Sequence, residues 1–204
     1  IVGIDLGTTN SALAVVVDGE TRVLPVHGQP TLPSCVGLDA DGRLIVGQAA
    51  RNQLVAAPES TILSVKRRMG EDASIRLGTR EFSPEEISSF ILRELKVEGE
   101  KVLGQPIAKA VITVPAFFNE RQRKATRVAG ELAGLEVVRI INEPTAAALA
   151  YGAGETKEHT MLVYDLGGGT FDVSLVRGEQ GVVEVKASHG DTRLGGDDFD
   201  QLLV

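Results

Sequence analysis

One motif occurs twice in this chain, and its duplication limits the folds that the chain can adopt. Asp5-Leu6-Gly7-Thr8-Thr9-Asn10 lies near the start and Asp165-Leu166-Gly167-Gly168-Gly169-Thr170 lies near the end. Each copy follows an apolar, strand-like run and precedes another, so each predicts a strand, a turn of Gly and Thr, and a second strand. Two matching units of this kind indicate a duplicated architecture rather than two accidental hairpins.

The residue types in the two turns are those that bind phosphate groups. Glycine lets the backbone approach a ligand closely, so that successive N–H groups and Thr hydroxyls can point at phosphate oxygens. The aspartate at each strand end is placed to hold a divalent cation, usually through water. Two such turns facing each other would clamp a nucleotide tail, with Asp5 and Asp165 sharing one Mg²⁺. A single Asp-x-Gly is also ordinary turn chemistry, so the duplication is what favours phosphate binding.

Composition places the chain among globular proteins and excludes several partners. Its 204 residues are 43% apolar and 24% charged, which is enough material for a substantial core. The net charge is −7 and basic residues cluster only at Lys66-Arg67-Arg68, so we expect no nucleic-acid partner. No apolar run approaches the roughly 20 residues of a membrane span, so no membrane association is expected. The lone Cys35 allows no internal disulfide, which fits a cytoplasmic location.

Strands and helices alternate in the second part of the sequence. The helix signals include a capping box with Pro at the first helical position and glycines that end each helix. Three helices are predicted: from Ser83-Pro84-Glu85-Glu86 to about Leu103, from Asn119 to Gly134, and from Pro144 to Gly152. Strands are predicted at Ile1 to Ile4, Ala12 to Val17, Arg22 to Val26, Val36 to Leu38, Leu44 to Val46, Ala110 to Val114, Val137 to Ile141, Met161 to Tyr164, Phe171 to Val176 and Val182 to Ser188. This order predicts an α/β fold.

Other polar residues have simpler explanations than a site. Asp39-Ala40-Asp41-Gly42 resembles the start of a calcium loop but lacks the closing acidic ligands, so we interpret it as a hairpin turn. Cys35 enters an apolar strand and is interpreted as a small buried side chain rather than a nucleophile. The three histidines, at positions 27, 159 and 189, lack ligand spacing, so a metal site made of histidines is not expected.

Two residues outside the duplicated motif are candidates for chemistry, each with an ordinary alternative. Glu143 lies between Asn142 and Pro144 at a strand-to-helix junction, where the following proline restricts its backbone and fixes its carboxylate. That position suits a residue that orients water, although a helix N-terminus favours a carboxylate for its own reasons. Lys66 begins a basic run, and from the sequence alone a solvated cation is the favoured interpretation.

Both ends of the sequence are abrupt. Ile1 already lies in a strand pattern, and Phe199 to Val204 resemble the first turns of a helix begun by Asp197 or Asp198. The first copy of the motif is followed by a complete set of alternating elements, and the second by only a few dozen residues. We therefore expect a fragment that lacks most of the second half of the duplicated fold.

Five motifs distributed over the whole chain resemble the nucleotide-binding domain of the heat shock protein 70 (DnaK) chaperones. They are Asp5-Leu6-Gly7-Thr8-Thr9-Asn10-Ser11, Val111-Ile112-Thr113-Val114-Pro115-Ala116-Phe117-Phe118-Asn119, Ile140-Ile141-Asn142-Glu143-Pro144-Thr145-Ala146-Ala147-Ala148, Asp165-Leu166-Gly167-Gly168-Gly169-Thr170-Phe171-Asp172 and Gly190-Asp191-Thr192-Arg193-Leu194-Gly195-Gly196-Asp197-Asp198-Phe199-Asp200. The resemblance implies an actin-like, ribonuclease H-like α/β fold of two lobes that hold Mg-ATP.

The resemblance also implies a division of this chain. Residues 1–154 would form lobe I, with subdomain IA at about 1–36 and 108–154 and subdomain IB at about 37–107. Residues 155–204 would be the truncated start of lobe II, in subdomain IIA.

Site roles follow from the resemblance at matching positions. Asp5 and Asp165 would hold the water shell of Mg²⁺, Asp172 would help to place K⁺, Lys66 would reach the γ-phosphate of ATP, and Glu143 would orient the attacking water. Pro115 and Arg123 match positions that relay the nucleotide state, and Arg139 matches a contact with a J-domain co-chaperone. The phosphate-binding positions of ATP or ADP would be Gly7, Thr8, Thr9, Asn10, Gly167, Gly168, Gly169 and Thr170.

The chain departs from DnaK in one connection. Between Lys66 and the Ser83 helix cap it has a short segment at residues 70–80, where DnaK carries a much longer excursion. In this respect it is closer to the bacterial HscC-type paralogues. The short subdomain IB puts the usual nucleotide-exchange factor and client range in question.

The resemblance predicts the ATPase part of a stress-response chaperone, in which hydrolysis drives binding and release of unfolded polypeptides by a C-terminal domain absent here. The fragment alone is expected to bind nucleotide weakly, to turn over little and to self-associate. Two alternatives share the fold: a sugar kinase, which would transfer phosphate to an acceptor, and a cytoskeletal actin-like protein, which would polymerise.

Overall fold

The computed structural model describes residues 1–152, 158–179 and 181–203. These residues form fourteen strands and five α-helices. The strands are β1 (Val2–Asp5), β2 (Asn10–Val17), β3 (Glu20–Leu24), β4 (Leu32–Pro33), β5 (Val36–Leu38), β6 (Leu44–Val46), β7 (Thr61–Ile62), β8 (Ile75–Leu77), β9 (Arg80–Phe82), β10 (Lys109–Val114), β11 (Glu136–Asn142), β12 (His159–Leu166), β13 (Phe171–Glu179) and β14 (Val182–Asp191). The helices are α1 (Gln48–Asn52), α2 (Pro84–Leu103), α3 (Glu120–Leu132), α4 (Glu143–Ala150) and α5 (Gly196–Leu203). The fold is mixed α/β, as the alternation of elements predicts.

The chain divides into two compact units. The first comprises Ile1–Ile112 and Glu120–Ile140, and the second comprises Thr113–Asn119 and Ile141–Val204. The predicted boundary between lobes at residues 154 and 155 lies outside the described residues, so the division into lobes and subdomains stays a prediction.

The largest sheet has the order β11-β10-β1-β2-β3, and β4 pairs with β2. β1 runs parallel to β10, with Ile4 opposite Ile112, and antiparallel to β2. Both isoleucines are almost fully buried, and so is Leu13 of β2. This apolar centre of the sheet fixes the end of β1, where the first copy of the duplicated motif begins.

Helix α2 is held at its start by the predicted capping box. Ser83 Oγ accepts the Glu86 N–H at 3.2 Å, and the Glu86 carboxylate accepts the Ser83 N–H at 2.7 Å. These two bonds satisfy backbone donors that the first helical turn leaves without partners. The helix ends before Gly104, so both predicted ends are confirmed. Its buried face consists of Ile87, Ile91, Leu92 and Leu95.

Two hairpins complete the first unit. The Asp39 side chain accepts the N–H groups of Asp41 at 3.0 Å and Arg43 at 2.8 Å in the turn between β5 and β6. This turn confirms the hairpin interpretation of the acidic segment. The sequence patterns did not identify the hairpin of β8 and β9, which falls in the short connection before α2. Both of its strands have only three residues, too few to show a period.

The second unit is built on the antiparallel sheet β12-β13-β14. Helix α4 contributes Ala148 to a small core with Val176 of β13, and partly buried Met161, Val163, Val183 and Val185 surround this pair. The predicted strands are confirmed within a few residues at their ends. In the part of the chain that the structure describes, no helix combines the length and apolar character that a membrane span requires.

Candidate functional site

The first copy of the duplicated motif forms the predicted strand, turn and strand. Asp5 is the last residue of β1 and Asn10 is the first of β2. Leu6 is buried beneath the turn, whereas Asp5 and Asn10 are exposed. The motif therefore presents a carboxylate and a short turn at the end of a buried strand, which is the arrangement expected of a phosphate-binding loop.

Gly7 is required by the tight path of this first loop. A Cβ atom on Gly7 would collide with the backbone oxygen of Asn10. No side chain is compatible with this approach unless the loop changes shape. Glycine therefore keeps this turn tight, and because it has no side chain, the backbone of the turn can approach a ligand closely.

The threonine hydroxyl groups of the first loop have no partners among the described residues. Thr8 Oγ1 and Thr9 Oγ1 are both buried and make no hydrogen bond to any described residue. A buried hydroxyl without a partner is costly, so such groups in a native fold indicate a ligand or water. Two buried hydroxyls beside a glycine turn are donors suited to the oxygens of a phosphate group.

Ser34 holds the first loop from behind, and the sequence patterns did not identify it. Its hydroxyl donates to the backbone oxygen of Gly7 at 2.8 Å, and its own N–H donates to the backbone oxygen of Thr9, also at 2.8 Å. The Ser34 oxygen lies 2.8 Å from the hydroxyl of Ser11, and both serines are buried. Ser34 is 27 residues from Gly7 in the sequence, so no local sequence pattern indicates that the two residues are bonded.

The other predicted site residues of the first unit lie on separate elements. Lys66 lies in a 3₁₀ turn at Val65–Arg68 and is only 5% exposed. The interpretation of this lysine as a solvated cation is therefore wrong. Arg123 is half-buried on α3, and Arg139 is exposed on β11.

The second copy of the motif repeats the hairpin in the second unit. β12 ends at Leu166, β13 begins at Phe171, and Asp165 is paired with Asp172 across the two strands. The turn is closed by the Gly167 N–H, which donates to the Thr170 oxygen at 3.0 Å. Gly169 and Thr170 are buried.

The start of α5 supports this second loop. The Gly196 N–H donates to the Gly167 oxygen and the Asp197 N–H donates to the Gly168 oxygen, each at 2.9 Å. Gly195 lies so close that a Cβ atom there would collide with the backbone of Gly168. The glycine pair at the start of α5, Gly195 and Gly196, is thus part of the loop's support, a role that the sequence analysis did not assign.

Asp172 and Glu143 occupy defined positions in the second unit. Asp172 is 3% exposed, and a Cβ atom on the neighbouring Gly190 would come within 3.0 Å of its carboxylate. Glu143 is the first residue of α4, directly after the last residue of β11, which confirms the predicted strand-to-helix junction. Pro115 is buried immediately after β10.

Two further groups of polar residues have structural explanations. His27 lies between Glu94 (2.8 Å) and Glu98 (3.3 Å), but Lys101 also bonds to Glu98, so this is a polar cluster that ties a turn to α2. Burial raises the pKa of the Cys35 thiol to about 11, although Arg51 opposes the shift. Cys35 is fully buried, as predicted, and its thiol is not suited to act as a nucleophile.

A comparison of the sequence with models of protein families identifies the family of this chain. The model of the family described as Hsp70 protein matches residues 1–76 and 72–204, which together span the whole chain. Members of this family are chaperones with an actin-like ATPase fold that use ATP or ADP with Mg²⁺. They generally work with J-domain co-chaperones, nucleotide-exchange factors and client peptides. With its duplicated glycine-rich hairpins and a family match from the first residue to the last, the chain belongs to the Hsp70 protein family.

Proposed function

We propose that this chain supplies the phosphate-binding part of an Hsp70 ATPase domain, in which hydrolysis of Mg-ATP drives binding and release of unfolded polypeptides elsewhere in the protein. The observation that carries the proposal is the pair of buried hydroxyls, Thr8 Oγ1 and Thr9 Oγ1, that have no partner among the described residues. Family membership makes the ligand a nucleotide.

In this proposal the first loop binds phosphate oxygens through Gly7, Thr8, Thr9 and Asn10. The two threonine hydroxyls regain hydrogen bonds when phosphate arrives, so binding removes the cost of burying them. Lys66, a buried cation, is assigned to the γ-phosphate, where its charge offsets that of the phosphate.

The second loop has the corresponding role through Gly167, Gly168, Gly169 and Thr170. Asp5 and Asp165 lie at the ends of β1 and β12, and their carboxylates are the kind of oxygen ligand that holds the water shell of Mg²⁺. When bound, Mg²⁺ neutralises phosphate charge. The buried Asp172 is assigned to a K⁺ ion.

Glu143 is the proposed residue for orienting the attacking water. Its place at the first position of α4 fixes its backbone, and a carboxylate can accept a hydrogen bond from water and so direct the oxygen lone pair in line with the γ-phosphate. Catalysis then depends on positioning and charge neutralisation rather than on a covalent intermediate.

Several finer assignments rest on the motif resemblance alone. They are the relay through Pro115 and Arg123, the J-domain contact at Arg139, the division into lobes near residue 154, the kinship with HscC-type paralogues and a stress-response role. A cytoplasmic location is also proposed, because it fits a chain with a single cysteine. The short hairpin of β8 and β9 before α2 is compatible with a small subdomain IB.

The 204-residue chain alone is proposed to bind ATP weakly and to turn over little. It is also proposed to self-associate. Leu162, Tyr164 and Leu166 alternate along one face of β12 and are 68%, 64% and 44% exposed. An apolar strand face of this kind favours association with a second surface.

The test is steady-state ATP hydrolysis by the complete Hsp70 polypeptide that contains this sequence, with and without an unfolded peptide. We expect slow turnover that the peptide stimulates and that Glu143→Ala and Asp165→Asn each abolish. Glu184→Ala is the matched control, because Glu184 is an exposed carboxylate on β14 that pairs only with Lys186 in the described contacts.

The outcomes separate the alternatives. Turnover that requires an added sugar would indicate a kinase, and nucleotide-dependent light scattering would indicate a filament protein. If both variants hydrolysed ATP as fast as the wild-type protein, the assigned site would be refuted.

A further inference from the structure

We infer that Ser34, supported by Ser11, is a positioning residue that sets the phosphate-binding conformation of the first loop. The inference rests on the proposed function of that loop. It concerns a residue pair that touches the back of the loop and not the nucleotide.

Ser34 forms hydrogen bonds with the first loop at two residues, one on each side of Thr8. Its hydroxyl donates to the Gly7 oxygen and its backbone N–H donates to the Thr9 oxygen, both at 2.8 Å. With Ser34 only 3% exposed, water cannot easily replace these bonds. Two buried bonds from one residue restrict rotation of the peptide unit that joins Gly7 to Thr8 and of the one that joins Thr9 to Asn10.

These bonds fix the direction of a backbone donor. In a trans peptide the C=O and the N–H point to opposite sides, and the described residues contain no cis peptide bond. The peptide that links Gly7 to Thr8 has its oxygen directed at Ser34. The Thr8 N–H is therefore directed away from Ser34, toward the opposite side of the loop.

In the second loop, the carbonyl oxygen that corresponds to that of Gly7 is held by a backbone N–H group instead of a serine hydroxyl. Gly167 occupies the place in the second motif that Gly7 occupies in the first, and its oxygen accepts the Gly196 N–H at 2.9 Å. The Asp197 N–H similarly holds the Gly168 oxygen. By the same trans-peptide geometry, these bonds direct the N–H groups of Gly168 and Gly169 away from α5. One loop thus uses a serine hydroxyl where the other uses a helix N-terminus, so the anchored carbonyl is a shared requirement of both.

Ser11 completes the support by orienting Ser34. A hydroxyl has one proton, and that of Ser34 is donated to Gly7, so the 2.8 Å bond between the two hydroxyls has Ser11 as its donor. Ser11 is 1% exposed on β2, a strand that also borders the loop. Loss of Ser11 would leave Ser34 in place but free to rotate its hydroxyl away from Gly7.

The test compares Ser34→Ala and Ser11→Ala with Ser89→Ala in the complete Hsp70 polypeptide. Ser89 is equally buried in the same unit, but its hydroxyl bonds within α2 to the Glu86 oxygen at 2.7 Å. Calorimetry would give the affinity for ATP and for adenosine, which lacks phosphates, and single-turnover assays would give the hydrolysis rate.

We expect Ser34→Ala to weaken ATP binding about tenfold, the loss of roughly one buried hydrogen bond, with adenosine affinity unchanged within about twofold. Ser11→Ala should show a smaller loss of the same kind, and Ser89→Ala none. Equal losses for ATP and adenosine, or serine variants that match Ser89→Ala, would overturn the inference. Wild-type protein that binds adenosine no more weakly than ATP would overturn the proposed phosphate site together with it.

Discussion

The carboxylate of Glu100 accepts the backbone N–H of Ile107 at 2.8 Å, across the turn that leads from α2 to β10. The same oxygen accepts Lys96 Nζ at 2.7 Å. The hydrogen bond from Lys96, followed by that from Ile107, lowers the pKa of Glu100 below its ordinary value of 4.5. A pKa lowered by folding means that the contribution to stability is present above the unfolded value and is lost as the pH falls through the folded value.

Glu100→Gln is therefore expected to reduce the free energy of unfolding at pH 7 by about 0.5–1 kcal/mol, a small value because the pair is partly exposed. Urea denaturation at pH 7 and at pH 3 would measure this difference, which should shrink at the lower pH because the stabilisation declines once the pH falls below the ordinary value of 4.5. Glu131→Gln, on the exposed face of α3, is the control. An undiminished loss at pH 3 would contradict the ion-pair explanation.

Gly7→Ala is expected to abolish phosphate binding without unfolding the chain. A Cβ atom at this position would displace the Asn10 oxygen, and a shift of about 1 Å in a site can reduce turnover roughly 100-fold. Gly3→Ala is the matched control in the preceding strand, because its Cβ would meet nothing closer than the Ala14 oxygen at 4.0 Å. ATP hydrolysis and melting temperature would be measured for both variants, and equal activities would show that the first loop is not the phosphate site.

The adjacent glycines at the start of α5 should respond differently to substitution by alanine. A Cβ atom on Gly195 would collide with Gly168, whereas one on Gly196 would lie at an ordinary 3.9 Å from the Gly167 oxygen. Gly195→Ala should therefore reduce ATP hydrolysis at least about tenfold, and Gly196→Ala should leave it within about twofold. Similar activities for the two variants would show that α5 does not support the second loop.

The elements that sequence analysis predicted best are those with strong local signals. The capping box at Ser83 and the glycine at 104 define both ends of α2, because the groups that satisfy a helix terminus are close neighbours in the chain. The duplicated hairpins at Asp5 and Asp165 were likewise visible, since an apolar run followed by a glycine turn is a local pattern.

The parts that escaped prediction depend on contacts between distant residues. Ser34 bonds to Gly7, but nothing in the Pro33-Ser34-Cys35 segment indicates where its hydroxyl points. Lys66 is only 5% exposed although it begins a run of three basic residues, and such a run suggested exposure. The residues that hold a binding loop in place are therefore harder to predict than the loop itself, because they come from distant parts of the chain.

Cys35 offers a probe of the region behind the first loop, because it is the only cysteine of the chain and follows Ser34 directly. Burial raises its thiol pKa from 9.0 to about 11, which lowers the thiolate fraction at pH 8 about 100-fold. Because the native fold also blocks access, a disulfide reagent at pH 8 should label the folded protein more than about 100-fold more slowly than protein unfolded in guanidinium. A Cys35→Ala variant gives the background of the assay.

Ser34→Ala should leave this protection intact if the serine only orients the loop, because the apolar surroundings of Cys35 would remain packed. The labelling rate of the variant, measured beside its melting temperature, separates local from global opening. Labelling that accelerates while the melting temperature stays unchanged would show that Ser34 also holds the segment between β4 and β5 in place. The loop and the buried thiol would then open together.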